Sequence, residues 1–170
     1  MKQSVLDLPS QELLKTLFDY QPETGNFVRL IKTARRTNPG DIAGTKCPSG
    51  YINISIDSVL YRAHRLAWRY MYGDSPVKLI DHINGIRDDN RIINLREVSH
   101  SENSQNQKKA TSKNKSTGLM GAYYHIKHKY YSSQINVNGK SINLGVFDTA
   151  ELAHEAYLEA KRKYHSTCTI

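Results

Sequence analysis

A run of fourteen residues with almost no apolar side chain, QNQKKATSKNKSTG at 105–118, interrupts this sequence. Its composition is typical of a flexible linker that lies on or near a nucleic-acid backbone, and the alternative is a merely solvated loop. We therefore predict two small domains, at 1–107 and 118–165, joined by a basic linker at 108–117.

The charge of the chain is strongly unbalanced. It has 24 Lys and Arg residues against 16 Asp and Glu residues, a formal net charge of +8, which favours a polyanionic partner such as nucleic acid or a membrane surface. No acidic residue occurs from 103 to 147. Seven lysines fall in that stretch: Lys108, Lys109, Lys113, Lys115, Lys127, Lys129 and Lys140.

Composition argues against membrane and disulfide-rich proteins. No run approaches the roughly 18 apolar residues of a membrane span, and the N-terminus lacks the apolar stretch of a signal peptide. The two cysteines, Cys47 and Cys168, are far apart and form no CxxC pair, which excludes a disulfide framework and a cysteine-based zinc finger. We therefore predict a cytoplasmic protein held together by apolar cores.

The N-terminal part begins with a helical pattern. Residues 10–20 open with a Ser cap, and four apolar side chains follow at helical spacing: Leu13, Leu14, Leu17 and Phe18. This pattern predicts a short amphipathic helix. A strand at 26–31 and a basic, turn-rich loop at 35–44 should follow it.

A hairpin and a second helix are predicted next. Residues 51–56 and 59–64 alternate like strands and are joined at Asp57-Ser58. The segment from His64 to Tyr72 has a helical pattern, so it should pack on that hairpin, with Trp68 as a core anchor.

Residues 77–107 predict a strand, loop, strand, helix unit. The run at 77–80 is strand-like, 84–91 (NGIRDDNR) is a tight polar loop, and 93–98 (INLREV) is a second strand. A capped polar helix should begin at Ser99.

Four residues of this unit stand at distinctive spacings. Asp81 and His82 end the first strand, Asn94 follows His82 by twelve residues, and Asn103 follows Asn94 by nine. The segment DHINGIRDDNRIINLREVS resembles the HNH (His-Me finger) signature of phage and intron-encoded endonucleases, and the likeness extends upstream through YRAHRLAWRYMYG. The resemblance implies a ββα-metal fold for the N-terminal domain.

The resemblance also implies a role for each of these residues. Asp81 and Asn103 would offer side-chain oxygens to one divalent cation, Mg²⁺ or Mn²⁺. His82 would act as the general base, since an imidazole suits proton transfer near neutral pH. Asn94 would fix the loop and orient the imidazole.

Two alternatives stay open for these positions. His100 lies close to Asn103 and could instead be the ligand. The Asp and Asn residues could also be turn and capping residues without chemistry, because turns favour them.

The C-terminal part predicts a three-stranded sheet. Strands are expected at 120–125, 131–137 and 140–147, the last two joined by Asn138-Gly139, which suits a type I′ turn. Alternation assigns one face to the core: Ile135, Val137, Ile142, Leu144 and Val146. The other face carries polar residues: Gln134, Asn136, Ser141 and Asn143.

A helix should back this sheet. The pattern from Asp148 to Glu151 predicts the cap, and a stripe of mostly small residues should face the sheet. That stripe comprises Ala153, Ala156, Tyr157, Ala160 and Tyr164.

The segment from 118 to 165, with its NGK turn and its LGVFDTAELA run, resembles the DNA-binding domain of the APETALA and ethylene-response-factor family. The resemblance implies a sheet that lies in the major groove. Gln and Asn on that face can pair with adenine, and lysines can contact phosphates. The contacting positions would be Tyr123, His125, Lys127, Lys129, Gln134, Asn136, Lys140, Ser141 and Asn143.

We therefore predict an α+β protein that cleaves duplex DNA in a metal-dependent reaction. It should nick DNA at a preferred site as a monomer, like a phage or mobile-element homing enzyme. One alternative is a transcription regulator that keeps the first domain as a scaffold. An RNA-binding protein would fit the charge, but the sheet lacks the aromatic motif of an RRM.

Overall fold

The computed structural model describes residues 7–107, 110 and 114–165. It is a mixed α and β structure with antiparallel sheets, and it forms two compact units, one ending at Val98 and the other beginning at Ser99. The predicted boundaries at 107 and 118 stay predictions, and Lys108, Lys109 and Lys113 lie outside the described residues. None of the helices in the described ranges is both long and apolar enough to cross a membrane.

The first unit begins with a helix that is shorter than predicted. Helix α1 spans Gln11–Leu17, and Ser10 caps it by accepting a hydrogen bond from the backbone N–H of Leu13. Phe18, predicted on the helix, instead opens strand β1 (Phe18–Gln21), which pairs with β2 (Asn26–Arg29). The alternation of β1 buries Phe18 and Tyr20, and this burial outweighs the helical pattern.

Two further antiparallel pairings complete this half of the unit. Strand β3 (Ile42–Ala43) joins β2, and β4 (Thr45–Lys46) pairs with β5 (Ile52–Ile56). The predicted hairpin is confirmed, because β5 pairs with β6 (Val59–Arg62) across Asp57 and Ser58, both at positive φ. Helix α2 (Ala63–Tyr72) follows directly and ends at Gly73 in the left-handed conformation.

The core of the first unit is formed by α1, α2 and the hairpins. Its buried members are Leu14, Phe18, Tyr20, Phe27, Ala43, Ile54, Ile56, Ala63, Leu66, Ala67 and Leu95. Trp68 packs against this cluster, as predicted for a core anchor.

The strand, loop, strand and helix predicted at 77–107 are all present, with shifted bounds. Strand β7 spans Leu79–His82 and pairs with β8 (Leu95–Val98), after a single 3₁₀ turn at Ile92–Asn94. Val77, predicted in the strand, is 94% exposed and lies before it. Helix α3 (His100–Gln105) is capped by Ser99, whose side chain forms a capping box with Glu102.

The second unit contains the predicted three-stranded sheet. Strand β10 (Tyr130–Val137) lies between β9 (Ala122–His125) and β11 (Lys140–Phe147). Asn138 and Gly139 have φ of 52° and 79°, which confirms the I′ turn. Helix α4 (Ala150–Tyr164) contacts all three strands.

A β-bulge changes the predicted faces of β11. Ser133 pairs with Gly145, whereas Gln134 pairs with Asn143, so Leu144 is the extra residue. A bulge residue reverses the alternation beyond it. Val146, predicted in the core, is therefore on the polar face and 60% exposed.

The helix of the second unit also corrects two predictions. Its N-cap is Thr149, whose hydroxyl accepts from the backbone N–H of Leu152, in place of Asp148. Tyr164, predicted to face the sheet, is exposed, while Lys161 is buried and donates to the carbonyl of Gln107. Ala153 and Ala160 are buried as predicted.

Candidate active site and nucleic-acid interface

The predicted catalytic residues lie where β7 ends. Asp81 and His82 are the last two residues of that strand, paired with Arg96 and Leu95 of β8. Asn94 closes the loop that joins the two strands, and its carbonyl accepts from the backbone N–H of Ile83. The structure therefore brings Asp81, His82 and Asn94 together at one end of a two-stranded sheet.

His82 is enclosed by aromatic rings and a polar amide. Its side chain is buried, with 4% exposure, and its ring centroid lies 5.0 Å from that of His64 and 5.9 Å from that of Tyr51. Burial lowers the pKa of His82 below its usual value, and a hydrogen bond to Asn90 acts in the opposite direction. The imidazole is therefore neutral at physiological pH, the state in which it can accept a proton.

The contact with Asn90 selects one tautomer of His82. Asn90 Nδ2 donates to the carbonyl of Asp88 at 3.3 Å, which turns Oδ1 towards the imidazole. His82 Nε2 lies 3.3 Å from that oxygen and therefore donates to it. In this tautomer Nδ1 is the basic nitrogen of the ring.

Asn90 is a site residue that sequence reasoning missed. It lies in the loop predicted at 84–91 and was interpreted only as a turn residue, yet it is 3% exposed. Two residues of the β1–β2 hairpin hold it in place. Tyr20 donates its hydroxyl to the Asn90 carbonyl at 2.7 Å, and a Cβ at Gly25 would lie 2.5 Å from the Asn90 carbonyl carbon.

Asn94 forms three side-chain hydrogen bonds within the loop. Its Oδ1 accepts from the backbone N–H of Asn84 at 3.0 Å. Its Nδ2 donates to Asn84 Oδ1 at 3.1 Å and to the Asp89 carbonyl at 2.8 Å. Its predicted role in orienting the imidazole stays a prediction, because the contact described for the His82 ring is with Asn90.

Asp81, the residue before His82, offers a carboxylate whose charge acts on the imidazole. Arg96 donates to its Oδ2 through Nε at 3.1 Å and through Nη2 at 2.9 Å. In the described ranges, no group of three or more His, Cys, Asp and Glu side chains could hold a metal ion. One carboxylate with amide oxygens still fits Mg²⁺, which keeps waters and binds substrate phosphates rather than an all-protein cage.

The second predicted ligand belongs to the other compact unit. Asn103 lies on α3, where its side chain is exposed, and His100 is the first residue of the same helix. A cation shared between Asp81 and Asn103 therefore stays a prediction, as does the alternative role of His100.

The predicted DNA-contacting residues of the strands share one face of the sheet in the second unit, except Lys140, which pairs with Val137 on the other face. Pairing places Tyr123 opposite Ser132, Gln134 opposite Asn143 and Asn136 opposite Ser141. Partners directly opposite each other share a face. Ala122, Ser133 and Ile135 are the neighbours of these residues along the strands, and they are buried on the opposite face. His125 contacts Ser132 through Nε2 at 2.8 Å on the same face. The predicted lysines are exposed around this sheet: Lys127, Lys129 and Lys140.

Local hydrogen bonds already use several amide oxygens of this face. Asn136 Oδ1 accepts from the backbone N–H of Gly139, and Asn143 Oδ1 accepts from that of Gly145, both at 3.0 Å. Gln134 Oε1 accepts from the Ser141 hydroxyl at 3.3 Å, and a hydroxyl can rotate to another partner. Gln134 can therefore present both atoms of its amide to a base edge more easily than either asparagine.

Asp81 and His82 are consecutive residues at the end of β7, and the buried imidazole is in the neutral state that can accept a proton. Residues 61–105 match the family model described as HNH endonuclease. The match confirms the predicted endonuclease, a hydrolase of phosphodiester bonds with DNA as its substrate. No curated protein and no solved structure matches this chain.

Proposed function

We propose that this protein is a metal-dependent endonuclease that nicks duplex DNA at a preferred site, with His82 as its general base. The observation that carries the proposal is the neutral imidazole of His82 at the end of β7, held by Asn90 and directly preceded in the chain by Asp81. The likeness of 61–105 to HNH endonucleases supports the reaction class. The resemblance to homing enzymes extends the proposal to a site-directed nick by a monomer.

The chain's own groups define the proton-transfer step. Asn90 holds Nε2 as a donor, so Nδ1 takes the proton of the water that attacks the phosphorus. Burial keeps the imidazole unprotonated before the reaction by lowering its pKa. Asn94 keeps the loop closed around this geometry through Asn84 and Asp89.

Asp81 and Asn103 would hold the divalent cation, Mg²⁺ or Mn²⁺. When bound, such an ion supplies positive charge that stabilises the phosphorane and the leaving 3′ oxygen. The Asp81 carboxylate is already oriented by Arg96, so a bound cation would share the carboxylate with that guanidinium.

The second unit would supply DNA affinity and site preference. Its polar face places Gln134 and its neighbours on the outer side of the sheet, with exposed lysines around them. This arrangement supports groove binding of the kind implied by the resemblance to ethylene-response-factor domains.

The test is a pair of measurements on the full chain. Purified protein should nick supercoiled plasmid with Mg²⁺ or Mn²⁺ and stop when the cation is chelated. His82→Ala should abolish nicking and leave the Kd for duplex DNA within a few-fold, because His82 moves a proton and neutralises no phosphate. Asp81→Asn should raise the Mg²⁺ concentration needed for half-maximal cleavage.

His100→Ala is the matched control for Asn103→Ala on α3. Loss of cleavage with Asn103→Ala but not with His100→Ala would support the ligand assignment, and the reverse result would contradict it. Equal losses of binding and cleavage in His82→Ala would contradict its role as the base.

A further inference from the structure

Two arginines lie on the ring of Tyr51, next to the site of His82. The guanidinium carbon of Arg62 is 4.8 Å from the Tyr51 ring centroid, and that of Arg87 is 5.2 Å from it. The same ring lies 5.9 Å from the His82 ring, centroid to centroid. Both guanidiniums are therefore separated from the proposed base by one aromatic ring.

Neither arginine has a carboxylate partner in the part of the chain that the structure describes. The ion pairs found there join other side chains: Lys46–Asp88, Arg91–Asp89 and Arg96–Asp81. Two positive charges against one ring repel each other, and a bound anion would relieve that repulsion.

Neighbouring groups hold both side chains in position. Arg62 donates through Nη1 to Asn53 Oδ1 at 2.9 Å and to Cys47 Sγ at 3.0 Å. Arg87 donates through Nη1 to the Ser49 carbonyl at 2.9 Å. Among the described residues these bonds use only Nη1 of each guanidinium, so Nε and Nη2 can donate to a ligand.

We propose that Arg62 and Arg87 form a phosphate-binding pair that holds the DNA backbone next to the bond that is cleaved. The proposal rests on the proposed nuclease function and adds to it the residues that position the strand. The planar donors of arginine match two phosphate oxygens, and a side chain ordered before binding loses little entropy. Because a phosphate carries no sequence information, this pair should contribute equally on every duplex.

The experiment uses the full chain with His82→Ala, so that bound DNA is not cut. The Kd for two unrelated duplexes is measured over a series of salt concentrations for Arg62→Gln and Arg87→Gln. Each change should raise Kd about ten-fold at low salt, and reduce the slope of log K against log salt by about 0.9, the value for one phosphate.

Arg29→Gln is the matched control. Arg29 also lies on an aromatic ring, that of Phe18 at 5.6 Å, and also donates one bond from Nη1, to Thr33 Oγ1. This change removes the same charge at a position away from Tyr51, so the slope should not change. Arg87→Lys keeps the charge but not the planar donors, so it should keep the slope and weaken binding several-fold.

Unchanged slopes in both glutamine variants, or an equal loss in Arg29→Gln, would overturn the proposal. Urea unfolding of each variant identifies losses that come from instability. A parent chain that never cuts DNA with any divalent cation, while both arginines still set the slope, would refute the nuclease function and retain the phosphate site. A parent chain that cuts, with arginine variants that bind like the control, would refute only the phosphate site.

Discussion

Two buried histidines of the first unit, His64 and His82, pack against each other and differ in their hydrogen bonds. His82 has a polar partner in Asn90, whereas His64 Nδ1 is buried without a hydrogen-bond partner among the described residues. Their rings meet edge to face at 80°. The difference in hydrogen bonding therefore separates a group that can be oriented for proton transfer from one that serves packing.

Asn90→Ala should lower kcat roughly ten- to a hundred-fold with little change in KM or DNA affinity. The physical reason is that the ring of His82 loses the acceptor that fixes its tautomer, while every group that could neutralise a phosphate stays in place. Single-turnover cleavage at saturating DNA measures this change. Asn90→Asp retains an oxygen acceptor and should recover part of the rate. A variant that loses affinity as strongly as rate would argue against a positioning role.

The pKa of His64 predicts loss of stability in mild acid. Burial lowers that pKa to about 3 from an unfolded value of 6.5. Since the unfolded chain binds the proton more tightly, the stability is fully present above about pH 6.5 and is lost as the pH falls towards 3. Between pH 6.5 and 4.5 the free energy of unfolding should fall by roughly 2–3 kcal/mol from this group.

Urea titrations of the full chain at several pH values measure that loss. His64→Phe keeps an aromatic ring beside Tyr51 but cannot be protonated, so its free energy of unfolding should depend less on pH. An equally steep dependence in this variant would assign the acid sensitivity to other groups.

At the scale of elements, the β1–β2 hairpin supports the loop that carries Asn90. Tyr20 donates to the Asn90 carbonyl, and burial raises the pKa of its phenol, so the hydroxyl remains a donor. The carbonyl of Pro22 accepts from the backbone N–H of Ile92. The hairpin is thus an indirect part of the site, since it fixes the loop that fixes the imidazole.

Gly25→Ala tests this support. Gly25 has a φ of +76°, and an added Cβ would lie 2.5 Å from the backbone nitrogen of Arg91 and 2.5 Å from the Asn90 carbonyl carbon. Gly40 is the control, with a φ of +88° and nothing within 4 Å of an added Cβ. Both changes strain the backbone by about 1–2 kcal/mol, but only Gly25→Ala should also lower kcat and cost further stability. Identical Tm and kcat values for the two variants would contradict the proposed support.

The elements that sequence reasoning predicted correctly are those whose signals are local. The Ser10 and Ser99 caps, the two hairpin turns and the end of a strand at Asp81 and His82 depend on residues a few positions apart. The errors arose from tertiary contacts. Phe18 lies in β1 because it pairs with β2, and Val146 lies on the exposed face because of the bulge at Leu144.

The role of Asn90 in the candidate active site could not be predicted from the sequence for the same reason. Its residue type and place in a turn-rich loop indicate only turn chemistry. Its contact with His82 depends on β7 and β8 being paired and on a hairpin some seventy residues earlier in the chain. Arg62 and Arg87 likewise meet only because β6 and the loop after β7 both contact Tyr51.

At the scale of the whole molecule, the two units carry different parts of the proposed function. The base and its supports lie before Val98, whereas the acid-free segment with its exposed lysines lies after it. We therefore expect that substitutions in the full chain can change the cleavage chemistry and the main electrostatic attraction to DNA separately.

The exposed lysines of the second unit should contribute to DNA affinity whatever the sequence of the duplex. Replacing Lys127, Lys129 and Lys140 together by Ala should weaken binding to every duplex alike and reduce the salt slope by about 0.9 for each phosphate that is no longer neutralised. The control replaces Arg162 and Lys163, which are exposed near the end of α4, and should change the slope less. Gln134→Ala should instead cost about 1–3 kcal/mol at one base pair of a preferred site. The rate at saturating DNA should stay unchanged in all of these variants, because none of them replaces His82 or a residue of the loop around Asn90. If the lysine variant binds and cuts like the control, the second unit does not provide the DNA affinity, and the first unit must bind its substrate alone.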